Sequence, residues 1–314
     1  MTRTDYAVRA TAAGGYLRGF CGSYRGCVSE AARTHSLSRT AADALGRVLI
    51  AASLMGLTLK DDDDLLTVRV SGNGALGGLI ASCRADGYVK GYAVNPGAEV
   101  PALAGGTTDM AGAIGSGTLT VTKDLGLKEP YVSSVPLVSG EIGEDVANYF
   151  LVSEQTPTAV CVGVALDSGR MRGESTQVTA AGGFLIQATP GAPEPIAAFV
   201  ESAVVSMPPI TKLLAEGLTP EGVLTAAFGG LDVEFTARAP VGYRCDCGEE
   251  RVANALASLP IRDLRKMRDE DGGAEIKCHF CNKTYSFGKP ALEELIRERM
   301  AAFLEGLRSN EREK

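Results

Sequence analysis

The sequence predicts an α+β protein in three parts: an N-terminal β-sheet core packed with helices (1–190), a helical linker (191–238) and a small C-terminal domain (239–314). Three observations carry this. Short alternating apolar and polar runs separated by Gly, Asn and Asp turns fill the first part. At Gly191 the composition changes to a Pro-interrupted stretch of helical period. The last part holds two close cysteine pairs.

With 314 residues and 45% hydrophobic content the chain can bury a sizeable core. A formal net charge of -7 gives no long-range field toward nucleic acid or anionic lipid. The start, Met1-Thr-Arg-Thr-Asp-Tyr6, has no apolar leader core, and the longest apolar stretch, Val48 to Leu59, is well short of the roughly 20 residues that span a membrane. The expectation is a cytoplasmic protein. In that reducing compartment its eight cysteines read as buried thiols, metal ligands or redox sensors before they read as structural disulfides.

Residues 4–23 read as two strands broken at Gly14-Gly15. A helix follows between Ser38, its expected N-cap, and Lys60, with Ala42, Leu45, Val48, Leu49, Ala52 and Leu54 at steps of three and four. Beyond the acidic turn Asp61 to Asp64, the runs LLTVRVSG, GLIASCRADGYVKGYAV, GTLTVTK and YVSSVPLVSG read as strands. Ile142, Val146, Tyr149 and Phe150 share one face of a helix that ends before Pro157, and a strand runs through Val160 to Val164. AGGFLIQATP (181–190) reads as the last strand of the first domain. After the linker GAPEP, the stretch 195–229 fits three short helices. In the first, Ile196, Phe199, Val200, Val204 and Met207 form an apolar stripe on helices too short to stand alone, a candidate for conditional exposure.

Two tempting sites fail on context. Gly72 to Gly77 matches G-x-G-x-x-G, yet a β-like GYVKGYAV follows almost at once where a dinucleotide fold needs a crossover helix, so a Gly-rich hairpin suffices. No GxxxxGK[ST] occurs, and no nucleotide-driven mechanism is expected. Glu141, Glu144, Asp145 and Glu154 lack a His or a second motif, and acids favour helix N-termini anyway. No catalytic residue is assigned, and the chain is expected not to be an enzyme.

Cys245-Asp-Cys247, thirty residues, then Cys278-His-Phe-Cys281 is the strongest signal in the chain. Each pair supplies two sulfurs from one turn, and four thiolates close a tetrahedral shell around one zinc with no position left for a substrate water. A purely structural zinc ribbon explains the pairs but not the C-x-C spacing, which sets two thiols near enough to join. Such a small-ring disulfide is strained and readily reversed. Oxidation of both pairs would remove every ligand and withdraw folding free energy on the order of 10 kcal/mol. His279 reads as a bystander, because sulfur already completes the shell. Cys21, Cys27, Cys83 and Cys161 share no such spacing, read as buried thiols and are assigned no function.

With SGEIGEDVANYFLVSEQTPTAV (139–160), AGGFLIQATP and the C-x-C…C-x-x-C pattern in this order, the chain resembles the 33 kDa chaperonin (heat shock protein 33) family over nearly its whole length. The resemblance implies an ATP-independent holdase that keeps unfolding client proteins from aggregating under oxidative and heat stress. It implies a C-terminal redox-switch domain, inactive when reduced and zinc-bound. In such proteins oxidation pairs neighbouring cysteines, here Cys245 with Cys247 and Cys278 with Cys281. Zinc then leaves, the zinc domain and linker unfold, and the oxidised form tends to dimerise. The rival class is a zinc-ribbon nucleic-acid module. Residues 238–289 carry ten Lys or Arg against eight Asp or Glu, and a four-thiolate zinc centre adds about two negative charges, so no phosphate-binding face is evident.

Overall fold

The architecture was obtained as a computed structural model, which describes residues 4–104, 106–167, 176–196, 198, 205 and 207–312. Its contacts separate two compact units, Met1–Arg244 and Cys245–Lys314.

The first unit is organised about one helix. α1 (Arg25–His35) leads into α2 (Arg39–Gly56), in which every residue except Arg39 and Arg47 is buried. Such all-round burial follows from a sequence of Ala, Leu, Val, Ile and Gly with only three charged residues. The Ser38 hydroxyl accepts the Ala41 amide at 3.0 Å and caps the helix, as its sequence position predicts. Gly46 lets α2 approach its neighbours: a Cβ there would lie 2.7 Å from Val164 Cγ2 and 2.8 Å from Val28 Cγ1. The buried Asp43 carboxylate is paired at 2.7 Å with Arg47, which also reaches Glu141 at 2.6 Å.

Two sheets pack on α2. The first takes β1 (Tyr6–Ala12), β2 (Leu17–Ser23), β8 (Thr158–Leu166), β9 (Val178–Ala188) and β10 (Val233–Pro240) in the antiparallel order β10-β1-β2-β9-β8. The second takes β3 (Leu65–Gly72), β4 (Gly78–Cys83), β5 (Tyr88–Ala93), β6 (Gly117–Asp124), β7 (Tyr131–Pro136) and the two-residue β11 (Gly242–Tyr243) in the order β11-β5-β4-β3-β6-β7. Gly72 to Gly77 joins β3 to its antiparallel partner β4, which is the hairpin expected in place of a nucleotide loop. Short α3 (Met110–Ile114) precedes β6, and α4 (Ile142–Ser153) follows β7. The Asp145 carboxylate, buried in the first turn of α4, accepts the amides of Val138 and Ser139. Glu154 is bonded by Tyr149 and Lys123. These acids do structural work.

AGGFLIQATP is not the last strand of this unit, since β10 and β11 come after it. β10 runs antiparallel beside β1 with Tyr6 opposite Pro240, so the two ends of the unit meet at a sheet edge. The expected linker span 191–238 therefore falls, where described, within the first unit. α5 (Ile210–Ala215) and α6 (Pro220–Ala227) lay Ile210, Leu213, Val223, Leu224 and Ala227, with Phe228, against Val8, Ala10, Leu17, Phe184 and Ile186 on the face of the five-stranded sheet opposite α2.

The second unit contains α7 (Glu249–Ala257), α8 (Ile261–Asp269), the hairpin β12 (Gly273–Lys277) and β13 (Thr284–Gly288), and α9 (Lys289–Arg312). Its core is small: Val252, Leu256, Leu264, Phe287, Leu292 and Ile296 are its buried apolar residues among those described.

Candidate metal centre

Cys245 and Cys247 lie in the extended stretch that enters α7, and Cys278 and Cys281 occupy the turn between β12 and β13. That turn is closed by Cys278 N–H donating to Lys283 O at 2.9 Å and Asn282 N–H donating to Cys278 O at 2.8 Å. Asn282 takes a left-handed φ of 60°, a conformation its short amide side chain tolerates. Two local loops thus present two sulfurs each.

All four Sγ atoms lie within 4.8 Å of one another. Two close separations join the two loops: 3.3 Å between Cys247 and Cys281, and 3.7 Å between Cys245 and Cys278. Zinc–sulfur bonds of about 2.3 Å in a tetrahedron set sulfurs roughly 3.8 Å apart. The donor set and its spacing therefore fit a metal of that size and softness, and no fifth His, Asp or Glu joins the group among the described residues. Backbone amides add donors: the N–H of Cys247 points to Cys245 Sγ and that of Lys283 to Cys281 Sγ.

Burial pushes the Cys245 and Cys281 thiols up. It acts in the same direction on Cys247, where hydrogen bonds from Tyr285 and the neighbouring sulfurs outweigh it and bring the thiol down to about 7. The Tyr285 hydroxyl, on β13, donates to Cys247 Sγ at 3.1 Å. The spacing argument missed this contact, because a tyrosine four residues past a cysteine carries no signal until the strand register is known.

His279 is exposed in the turn and outside the sulfur cluster. Cys21, Cys27 and Cys83 are buried and Cys161 half-buried, all as free thiols and apart from the cluster. Burial holds Cys83 up at about 12, so it carries little thiolate. Of the apolar stripe, Ile196 and Met207 are half-buried against the outer face of the five-stranded sheet. Phe199, Val200 and Val204 lie outside the described residues.

Comparison with known proteins points the same way. A family model described as Hsp33 protein matches residues 5–288. The chain is 42% identical to a 33 kDa chaperonin of Clostridioides difficile over 295 residues, covering 94% of this chain and 99% of that protein. A 33 kDa chaperonin of Acetivibrio thermocellus is 40% identical over 293 residues, 93% of this chain and 97% of its own length. The crystal structure of the 33 kDa chaperonin from Thermotoga maritima superposes with a TM-score of 0.83 at 37% identity, covering 95% of this chain and all of that one.

Proposed function

From the premise that this chain belongs to the Hsp33 family of chaperones, we propose that it is a redox-regulated, ATP-independent holdase. It binds unfolding proteins when oxidised and is silent when reduced and zinc-bound. The single observation that carries the reading is the gathering of Cys245, Cys247, Cys278 and Cys281 into one four-sulfur cluster. When bound, zinc would tie the stretch before α7 to the β12–β13 turn and contribute folding free energy on the order of 10 kcal/mol. Six buried apolar side chains among the described residues give the unit little to replace that with.

Oxidation pairs Cys245 with Cys247 and Cys278 with Cys281, takes away all four ligands and loosens the unit they held. The linker follows. α5 and α6, of six and eight residues, are too short to persist alone, so their stability comes from docking on the sheet. Undocking bares Val8, Ala10, Leu17, Phe184 and Ile186 together with Ile196 and Met207, and Phe199, Val200 and Val204 of the same stripe complete the proposed client surface. An apolar patch of that kind holds other unfolded chains without energy input. No helix among the described residues is long and apolar enough to cross a membrane. The reading places the protein in the cytoplasm, without nucleotide or nucleic-acid partner, and as a homodimer once oxidised.

The test is a light-scattering assay of an aggregating client with reduced and peroxide-treated protein side by side. Suppression by the oxidised form alone is expected. Equal behaviour of the two forms would remove the switch, and a salt-dependent shift of DNA or RNA would favour the nucleic-acid module instead.

A further inference from the structure

We propose that Tyr285 is a positioning residue of the sulfur cluster, whose hydroxyl restrains the reaction of Cys247 with peroxides. The inference rests on the reading above that the four thiolates form a zinc-bound, oxidisable centre. Its observation is independent of the ligand count: an O–H donor sits 3.1 Å from one sulfur. The donor comes from a strand. Tyr285 stands opposite Ile276 in the β12–β13 pair, and its half-buried ring packs on the core around Phe287 and Leu264. The hydroxyl is thereby held at the sulfur by the hairpin register and needs no ordering when the thiolate forms.

A zinc-bound thiolate reacts through a sulfur lone pair. In the first step Cys247 Sγ attacks one oxygen of a hydroperoxide, the O–O bond breaks, and the other oxygen leaves as hydroxide or alkoxide and takes a proton from solvent. In the second, a neighbouring thiolate attacks the sulfur of the resulting sulfenic acid, the S–S bond forms, the S–O bond breaks, and hydroxide leaves and takes a proton from solvent to become water. The two sulfurs lose two electrons and the peroxide gains them. A hydrogen bond donated to Sγ draws on the same electron density that the first step spends, and it weakens as the sulfur loses its negative charge. It therefore stabilises the resting thiolate more than the transition state. The Tyr285 hydroxyl slows oxidation without blocking it.

Tyr285→Phe removes the hydroxyl and keeps the ring. Zinc content of both proteins is measured first, then zinc release after hydrogen peroxide with a chromogenic chelator, and Cys247 oxidation by mass spectrometry of alkylated peptides. The expected result is one zinc per chain in both, a slightly lower unfolding midpoint in the variant, and Cys247 oxidation about fivefold faster there. Equal rates with one zinc bound in both would overturn the role of Tyr285 and leave the metal reading intact. Absence of zinc from the wild type as well would overturn the metal reading itself. Should Tyr285→Phe fold poorly, cadmium NMR of the cadmium-substituted wild type gives a second reading: the Tyr285 hydroxyl proton must exchange slowly and couple to the metal through Cys247, and its absence counts against the proposal.

Discussion

His35 Nε2 lies 2.9 Å from the Tyr243 hydroxyl, which in turn donates to Gly91 O at 2.7 Å. A hydroxyl has one proton, and Gly91 O takes it, so His35 is the donor to Tyr243 and carries its proton on Nε2. Tyr243 is the second residue before Cys245. The strand leading to the first metal-ligand pair is thus fastened to the core at three successive residues: Gly242 and Tyr243 pair with β5, and Arg244 lies 3.8 Å over the Tyr88 ring and bridges to Asp86.

Tyr243→Phe removes one hydroxyl that serves both His35 and Gly91. It is expected to cost about 1–2 kcal/mol and to speed amide exchange at 242–244 more than in the central strands β3 and β4. Equal protection in both proteins, measured by hydrogen exchange, would show that the strand pairing alone holds this segment.

Cys278→Ser leaves three thiolates and a weak oxygen donor for a metal that prefers sulfur. Zinc content should fall well below one per chain, and the region beyond Cys245 should become the first site of proteolysis. An unchanged zinc content would take Cys278 out of the shell.

Leu224→Asp puts a charge on the fully buried face of α6. The burial penalty, about 3 kcal/mol or more, exceeds what an eight-residue helix can recover, so α6 should undock while the sheets persist. The reduced variant is expected to suppress client aggregation. Retained β-sheet circular dichroism with no holding activity would place the client surface elsewhere.

Asp5 gives a pH dependence with a definite sign. Its carboxylate accepts the Cys27 amide at 2.7 Å at the start of α1, yet burial outweighs this bond and pushes the group up from 3.8 to about 6. The folded state therefore favours the protonated form. That contribution to stability is fully present below 3.8 and is lost as pH rises through about 6. Asp5→Asn keeps an acceptor and removes the charge, so it should match or exceed the wild type at neutral pH by about 1–3 kcal/mol and lose that advantage toward pH about 4. Parallel denaturation curves at both pH values would refute the assignment.

Much of this was legible in the chain itself. Residues 65–72 alternate so regularly that the strand and its neighbour across Gly72 to Gly77 could be read directly, and the two cysteine pairs were legible because each is local. β10 was not. Its run VEFTARAP alternates apolar and polar residues as a strand does, but it follows directly on a stretch of helical period and its partner β1 lies at the other end of the unit. The register of β13, which aims Tyr285 at Cys247, is a property of the pairing and not of the residues.

The five-stranded sheet is apolar on both faces, with α2 against one and short helices against the other. Its backbone ladder runs from strand to strand, so shedding the short helices breaks no rung of it and costs side-chain bonds such as Tyr6 to Glu221. On the proposed reading, the sheet beneath the client surface keeps its register while that surface is open. On the same reading, closing it again means refolding two short helices onto a preformed sheet, with no strand left to re-pair.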